Sequence, residues 1–194
     1  MYGKTAAGVG KPVLVDSNGE LIISQGGKYR VATEEGRVYS VANQAVVNVT
    51  AGMAATYTGL ALCNPTGSGK NFAILGIGIA ALIAVPTANC MMGIMTGGGV
   101  GAATKVIVPK NRLLGGVASV ANVDSAVVFT EAPVLDQVFG SWHTGAVTTG
   151  LTDGMYFDLE GSLIIPPGYH ASPYASAIND GTFMFSWLWE EYTP

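Results

Sequence analysis

Charge is what this sequence has least of. Asp, Glu, Lys and Arg make up 11% of its 194 residues, against roughly 25% in an ordinary soluble domain. Hydrophobic residues reach 49% and the mean hydropathy is +0.39. A lone chain so poor in charge would expose much apolar surface and associate. Either it sits in a membrane or it buries surface against other subunits. The net charge of −4 argues against a general nucleic-acid binder, which needs a basic footprint. The two cysteines, Cys63 and Cys90, are too few for a disulfide framework and read as small core side chains. The two histidines, His143 and His170, lie far apart without the spacing of a metal site, so no metal and no cofactor is expected. There is no Gly-x-Ser-x-Gly nucleophile elbow. Residues 1–8 lack the apolar core of a secretory signal. No stretch has convincing helical periodicity, and no repeat of fixed length is visible.

What is present is β pattern. From Phe183 to Glu190 the odd positions are Phe183, Phe185, Trp187 and Trp189, and the even ones Met184, Ser186, Leu188 and Glu190. A period of two is a strand, because successive side chains point to opposite faces. One face is wholly aromatic. The other carries no charge before Glu190, so cover on both sides is expected. Glu190 and Glu191 point to opposite faces and cannot share a site; capping an exposed strand end is their expected role.

The longest apolar run, Phe72 to Val85, would extend with Pro86 to Met95 to the length of a membrane helix. It reads instead as strands. The run proper is shorter than the roughly 20 residues a bilayer needs, and Pro86 removes a donor where the helix would have to continue. Ile77, Ile79 and Ala81 alternate with Gly76, Gly78 and Ala80, a small face that invites close approach of another layer or chain.

Residues 1–12 read as a flexible arm, and Val13 to Ile23 as a hairpin turning at Asn18-Gly19. Residues 1–43 carry a net charge of +1 and residues 44–194 a net of −5, which sets the first segment apart. From Gln44 onward short strands alternate with Gly, Pro and Asn turns. Strands are expected near Met53–Leu62, Lys105–Val108, Leu114–Ala118, Ala126–Thr130, Leu135–Trp142, Met155–Leu159, Ser162–Ile165 and Tyr169–Ser176, with Thr96–Thr104 as a glycine-rich loop. Such spacing indicates a sandwich or jelly roll. The Thr66-Gly67-Ser68-Gly69-Lys70-Asn71 loop looks briefly like a phosphate loop. It lacks the first glycine and the metal-binding hydroxyl and precedes a strand, so it reads as a turn. Gly97-Gly98-Gly99-Val100-Gly101-Ala102 lacks the strand-loop-helix context of a dinucleotide site and reads as a loop.

Three stretches carry a resemblance: Asn64-Pro65-Thr66-Gly67-Ser68-Gly69-Lys70-Asn71 with its following strand, Ile164-Ile165-Pro166-Pro167-Gly168-Tyr169, and the terminal Phe185-Ser186-Trp187-Leu188-Trp189-Glu190-Glu191. In these the chain resembles virion decoration, cement and head-fibre proteins of tailed phages, built on a TNF-like jelly roll. The resemblance implies an all-β jelly-roll sandwich over residues 44–194, with residues 1–43 as an extended N-terminal arm and hairpin. It implies a homotrimer on the capsid surface of a virion, with the major capsid protein and the chain itself as partners, no nucleic acid, no membrane and no enzymatic activity. On this reading Phe183, Phe185, Trp187, Trp189, Gly76 and Gly78 pack subunits together. Lys4, Lys11, Lys28, Arg30 and Arg37 face the capsid. The alternative is a receptor- or glycan-binding head, with Tyr156, Trp142 and His143 as its candidates.

Overall fold

A computed structural model describes residues 2–4, 10–12, 28–81, 90–100, 102–103, 107–142, 154–176 and 183–194. It divides into two compact units, Met1–Val31 and Ala32–Pro194. In the first, β1 (Tyr2–Lys4) pairs antiparallel with β2 (Gly10–Pro12), so part of the expected arm is itself a small hairpin. The hairpin expected at Asn18-Gly19 lies outside the described residues. A single turn of helix, α1 (Arg30–Glu34), spans the boundary.

The second unit is a β-sandwich. Its strands are β3 (Val38–Ala42), β4 (Thr56–Cys63), β5 (Asn71–Ala81), β6 (Cys90–Gly98), β7 (Ala102–Ala103), β8 (Lys110–Asn111), β9 (Asn122–Val128), β10 (Val134–Trp142), β11 (Gly154–Ile165), β12 (Tyr169–Ala175) and β13 (Phe183–Tyr192). One sheet has the order β10-β6-β12-β4-β9-β7 and the other β11-β5-β13-β3-β8. Nearly every connection crosses from one sheet to the other.

The aromatic strand holds the centre of this arrangement. β13 lies between β5 and β3, with Trp187 opposite Ile77 and Val41, and Phe185 opposite Ile79. Directly opposed residues share a face, so aromatic and branched side chains form one inner surface. Phe183, Phe185, Trp187 and Trp189 are fully buried within this one chain. The Trp187 indole N–H donates to the carbonyl of Leu60 across the sandwich, at 2.9 Å. This corrects the expectation that the four aromatics pack subunits together: they are the core of a single chain. The opposite face of β13 is half-buried, so the cover expected on both sides is incomplete.

The apolar run divides as expected into strands, β5 and β6. Among the described residues no helix is long and apolar enough to cross a membrane. Met155–Leu159 and Ser162–Ile165 are one strand, β11, kinked by a bulge where Glu160 and Gly161 take positive φ. Thr96 to Gly98, expected in a loop, continue β6. Leu114–Ala118, expected as a strand, is irregular.

The three stretches that carried the resemblance meet in space. Asn64 is buried, and its side-chain amide donates to the carbonyls of Lys70 and Ile165 at 2.8 and 2.9 Å. The Asn64 carbonyl accepts from Gly168 N in the Pro-Pro-Gly turn at 2.8 Å. Lys70 Nζ donates to Thr193 beyond the last strand at 3.0 Å. The loop resembling a phosphate cradle is thus a clasp that spends its polar groups on its neighbours.

The position of β3 corrects the arm boundary. Residues 38–42 form a strand of the five-stranded sheet, with Val38, Tyr39 and Val41 buried. Each such side chain is worth roughly 1.5–3 kcal/mol, so losing all three costs a large part of the roughly 5–15 kcal/mol that holds a domain together. Deleting residues 1–31 is expected to leave a cooperatively melting sandwich. Deleting residues 1–43 is expected to abolish the transition or yield aggregate, as judged by circular dichroism on heating.

Candidate interaction surface

The residues expected to touch a capsid fall in both units of the chain. Lys4 and Lys11 fall on β1 and β2, and their side chains lie outside the description. Lys28 and Arg30 are exposed, the Lys28 ammonium lying 5.3 Å from the Tyr29 ring centroid. Arg37 belongs to the sandwich unit, where its guanidinium pairs with Glu35 and with Glu190. That pairing ties the start of β3 to the end of β13, and corrects the view of Arg37 as a cation directed outward.

Gly76 and Gly78 do permit a close approach, but by the chain's own side chains. A Cβ on Gly76 would collide with the phenol of Tyr156, and one on Gly78 with the hydroxyl of Ser186. Their assignment to subunit packing is corrected accordingly.

A different surface emerges that the sequence did not mark. The segment from Arg112 to Ala121 has no regular secondary structure, yet it is held at both ends. Asn111 Nδ2 donates to the carbonyls of Gly36 and Val117, at 2.8 and 2.9 Å, and its Oδ1 accepts from Leu113 N at 2.9 Å. Gly115 supplies a φ of 84° for the turn, and Gly116 N bonds to Leu113 O at 2.8 Å. At the far end the buried Glu191 carboxylate accepts from Ser119 Oγ, from Val120 N and from the Trp189 indole N–H. Glu191 therefore anchors this loop instead of capping an open strand end.

The loop so fixed presents aliphatic side chains outward. Leu114 is 91% exposed and Val117 79% exposed, with Leu113 and Val120 beside them. Single exposed aliphatics are ordinary. Four on ten residues whose backbone is pinned by side-chain hydrogen bonds make a pre-organised apolar knob, and a rigid anchor loses little entropy when a partner covers it.

His170 is fully buried, its ring stacked on Phe129 at a centroid distance of 3.6 Å. Among the described residues neither ring nitrogen has a hydrogen-bond partner, nor does Ser172 Oγ two residues along. The two side chains are not joined as nucleophile and base. Cys63 and Cys90 are buried and form no disulfide with each other, and burial beside Asp124 pushes the Cys63 thiol up to about 12, away from a reactive thiolate. Among the described residues no three His, Cys, Asp or Glu side chains could hold a metal ion.

Burial lowers the His170 pKa to about 4 from an ordinary 6.5. The unfolded chain then binds a proton that the folded one refuses between those values. Stability from this group is complete above pH 6.5 and declines toward pH 4, by about 3 kcal/mol at most. His170→Leu is expected to lessen the drop in melting temperature between pH 7 and pH 4.5. An unchanged drop would place the acid sensitivity elsewhere.

Comparison with protein-family models, with curated proteins and with solved structures gave no match in any of the three.

Proposed function

We propose that this chain is a non-enzymatic structural protein of a phage virion, a decoration or cement protein that assembles as a homotrimer on the capsid surface. The observation that carries the proposal is the pinned apolar loop from Arg112 to Ala121, with Leu114 and Val117 at its tip. It belongs to a chain with 11% charged residues, whose surface calls for cover by other subunits.

The strand order supports the jelly-roll part of the proposal. β3-β13-β5-β11 in one sheet and β4-β12-β6-β10 in the other follow the order that eight strands wound as two Greek keys would give, with β9 beside β4. The resemblance of the clasp and of the last strand to virion proteins supports the location. In the assembly, the apolar knob of each subunit packs on its neighbour. The basic N-terminal segment meets the acidic capsid surface, where many weak contacts repeated over a shell produce avidity without any catalytic group. Immunogold labelling with an antibody against the chain is expected to mark the heads of virions. Label confined to tails, or absent from purified particles, would overturn the assignment.

A further inference from the structure

The two sides of the sandwich carry opposite charge. β10 and β11 are end strands of their sheets, and Phe139 stacks on Phe157 between them at a centroid distance of 4.1 Å, so the two strands form one side. β8 is the end strand opposite β11, and the pinned loop follows it. Residues 110–120 hold Lys110 and Arg112 and no acid. β10 and β11 hold Asp136, Asp158 and Glu160 and no cation. Three strands stand between β8 and β11, roughly 19 Å at the usual strand spacing. That is beyond the roughly 8 Å over which exposed charges act in physiological salt. Lys110, Arg112 and Asp136 are exposed, and among the described residues none of the three has an ion pair.

The exposed aliphatic residues follow the same division. Among the described residues β10 pairs with β6 alone, so its other edge is open. Along it Val134, Asp136 and Val138 are all exposed, the two valines at 67% and 48%. An acid thus stands between two aliphatic side chains. The loop has the reciprocal set, Arg112 followed by Leu114 and Val117.

Given that the loop is a subunit contact, as proposed above, we infer that the knob of one copy docks on the β10 edge of the next. Leu114 and Val117 lie against Val134 and Val138, and the Arg112 guanidinium meets the Asp136 carboxylate. Aliphatic contact excludes water, and in its shelter a guanidinium and a carboxylate bond as a two-pronged pair. Like surfaces repel. Two knobs face to face would set Lys110 and Arg112 against their own copies, and two β10 edges would bring Asp136 toward its own copy. Knob and edge lie on opposite sides of the sandwich, so one partner cannot meet both. The contact is therefore head-to-tail, and each pair leaves a knob and an edge for a further copy until a ring closes.

Charge exchange in the full chain tests this, read as the concentration dependence of mass by light scattering. Arg112→Asp and Asp136→Arg should each weaken association at least about tenfold. The melting temperature should hardly change, since both side chains are exposed. The double exchange, Arg112→Asp with Asp136→Arg, should restore association to within about threefold of the natural sequence. A carboxylate that only guarded an open strand edge would not be rescued in this way. Disulfide trapping is the second readout. A mixture of Leu114→Cys and Val138→Cys chains should form the mixed disulfide, and neither chain should cross-link with itself. Single exchanges without effect, or a double exchange no better than either one, would overturn the inference. So would self-cross-linking of Leu114→Cys as fast as the mixed pair, which would place knob against knob. Assembly lost in Leu114→Asp with Val117→Asp yet intact in Asp136→Arg would overturn the receiving edge alone and leave the knob as a subunit contact.

Discussion

Replacing Trp187 with Ala is expected to destabilise the sandwich by about 3–5 kcal/mol, the range for a large aromatic truncated in a core. Trp187 is fully buried between Val41 and Ile77 on the central strand of its sheet. Its indole N–H makes a bond that crosses to the other sheet, at the Leu60 carbonyl. Truncation opens a cavity where neighbours on both sides are fixed by strand pairing, so collapse is hindered. It also leaves the Leu60 carbonyl without that donor, in a place water does not reach, adding about 1 kcal/mol or more. Trp187→Phe fills most of the space and loses only the hydrogen bond and a little volume, so it should cost less than half as much. Urea denaturation followed by tryptophan fluorescence measures both. Because the residue faces its own core, the loss should appear in unfolding of the isolated subunit and not chiefly in assembly. A Trp187→Ala loss below about 1 kcal/mol, with assembly abolished, would return this aromatic face to the subunit interface.

The second large effect is expected at the loop. Leu114→Asp with Val117→Asp should leave the melting temperature of the subunit nearly unchanged, since both side chains stand in solvent. Burying a leucine or valine contributes roughly 1.5–3 kcal/mol. In the proposed assembly the pair would contribute about 3–6 kcal/mol to each contact between subunits, equal to a factor of roughly 10² to 10⁴ in the dissociation constant. A carboxylate carried into that contact without a partner adds a further penalty. The double variant should run as a folded monomer at micromolar concentration, and Leu114→Met with Val117→Ile, which keep the knob apolar, should assemble normally. Cross-linking or size-exclusion chromatography with light scattering separates these outcomes.

The core strands were legible because each carried its own signal. β13 alternates aromatic with mixed residues, and alternation depends only on the pleat. β5 and β6 could be recognised from an apolar run too short for a bilayer and broken by proline. What the pattern could not give was ownership of the covered face. An aromatic stripe looks the same whether its cover comes from the same chain or another, so pattern alone does not assign Phe183, Phe185, Trp187 and Trp189 to the core of one chain. Gly76 and Gly78 announced a close approach, but the approaching groups, Tyr156 and Ser186, come from strands about 80 and 110 residues away. The loop is hidden in the sequence for a related reason. Leu114 to Ala118 has the composition of a short strand, but Gly115 takes the left-handed region, the Val117 carbonyl accepts from Asn111, and Glu191 holds Ser119 and Val120 just beyond. Glu191 gave no sign in sequence that its carboxylate turns inward to hold a loop 70 residues earlier.

Assembly through the apolar knob is tested by the mass of the intact chain in solution at micromolar concentration, measured by light scattering. Three times the chain's 19.9 kDa is expected for the natural sequence, and a single folded chain for Leu114→Asp with Val117→Asp. A natural sequence that runs as one folded chain, or a double variant that still forms the trimer, would contradict it.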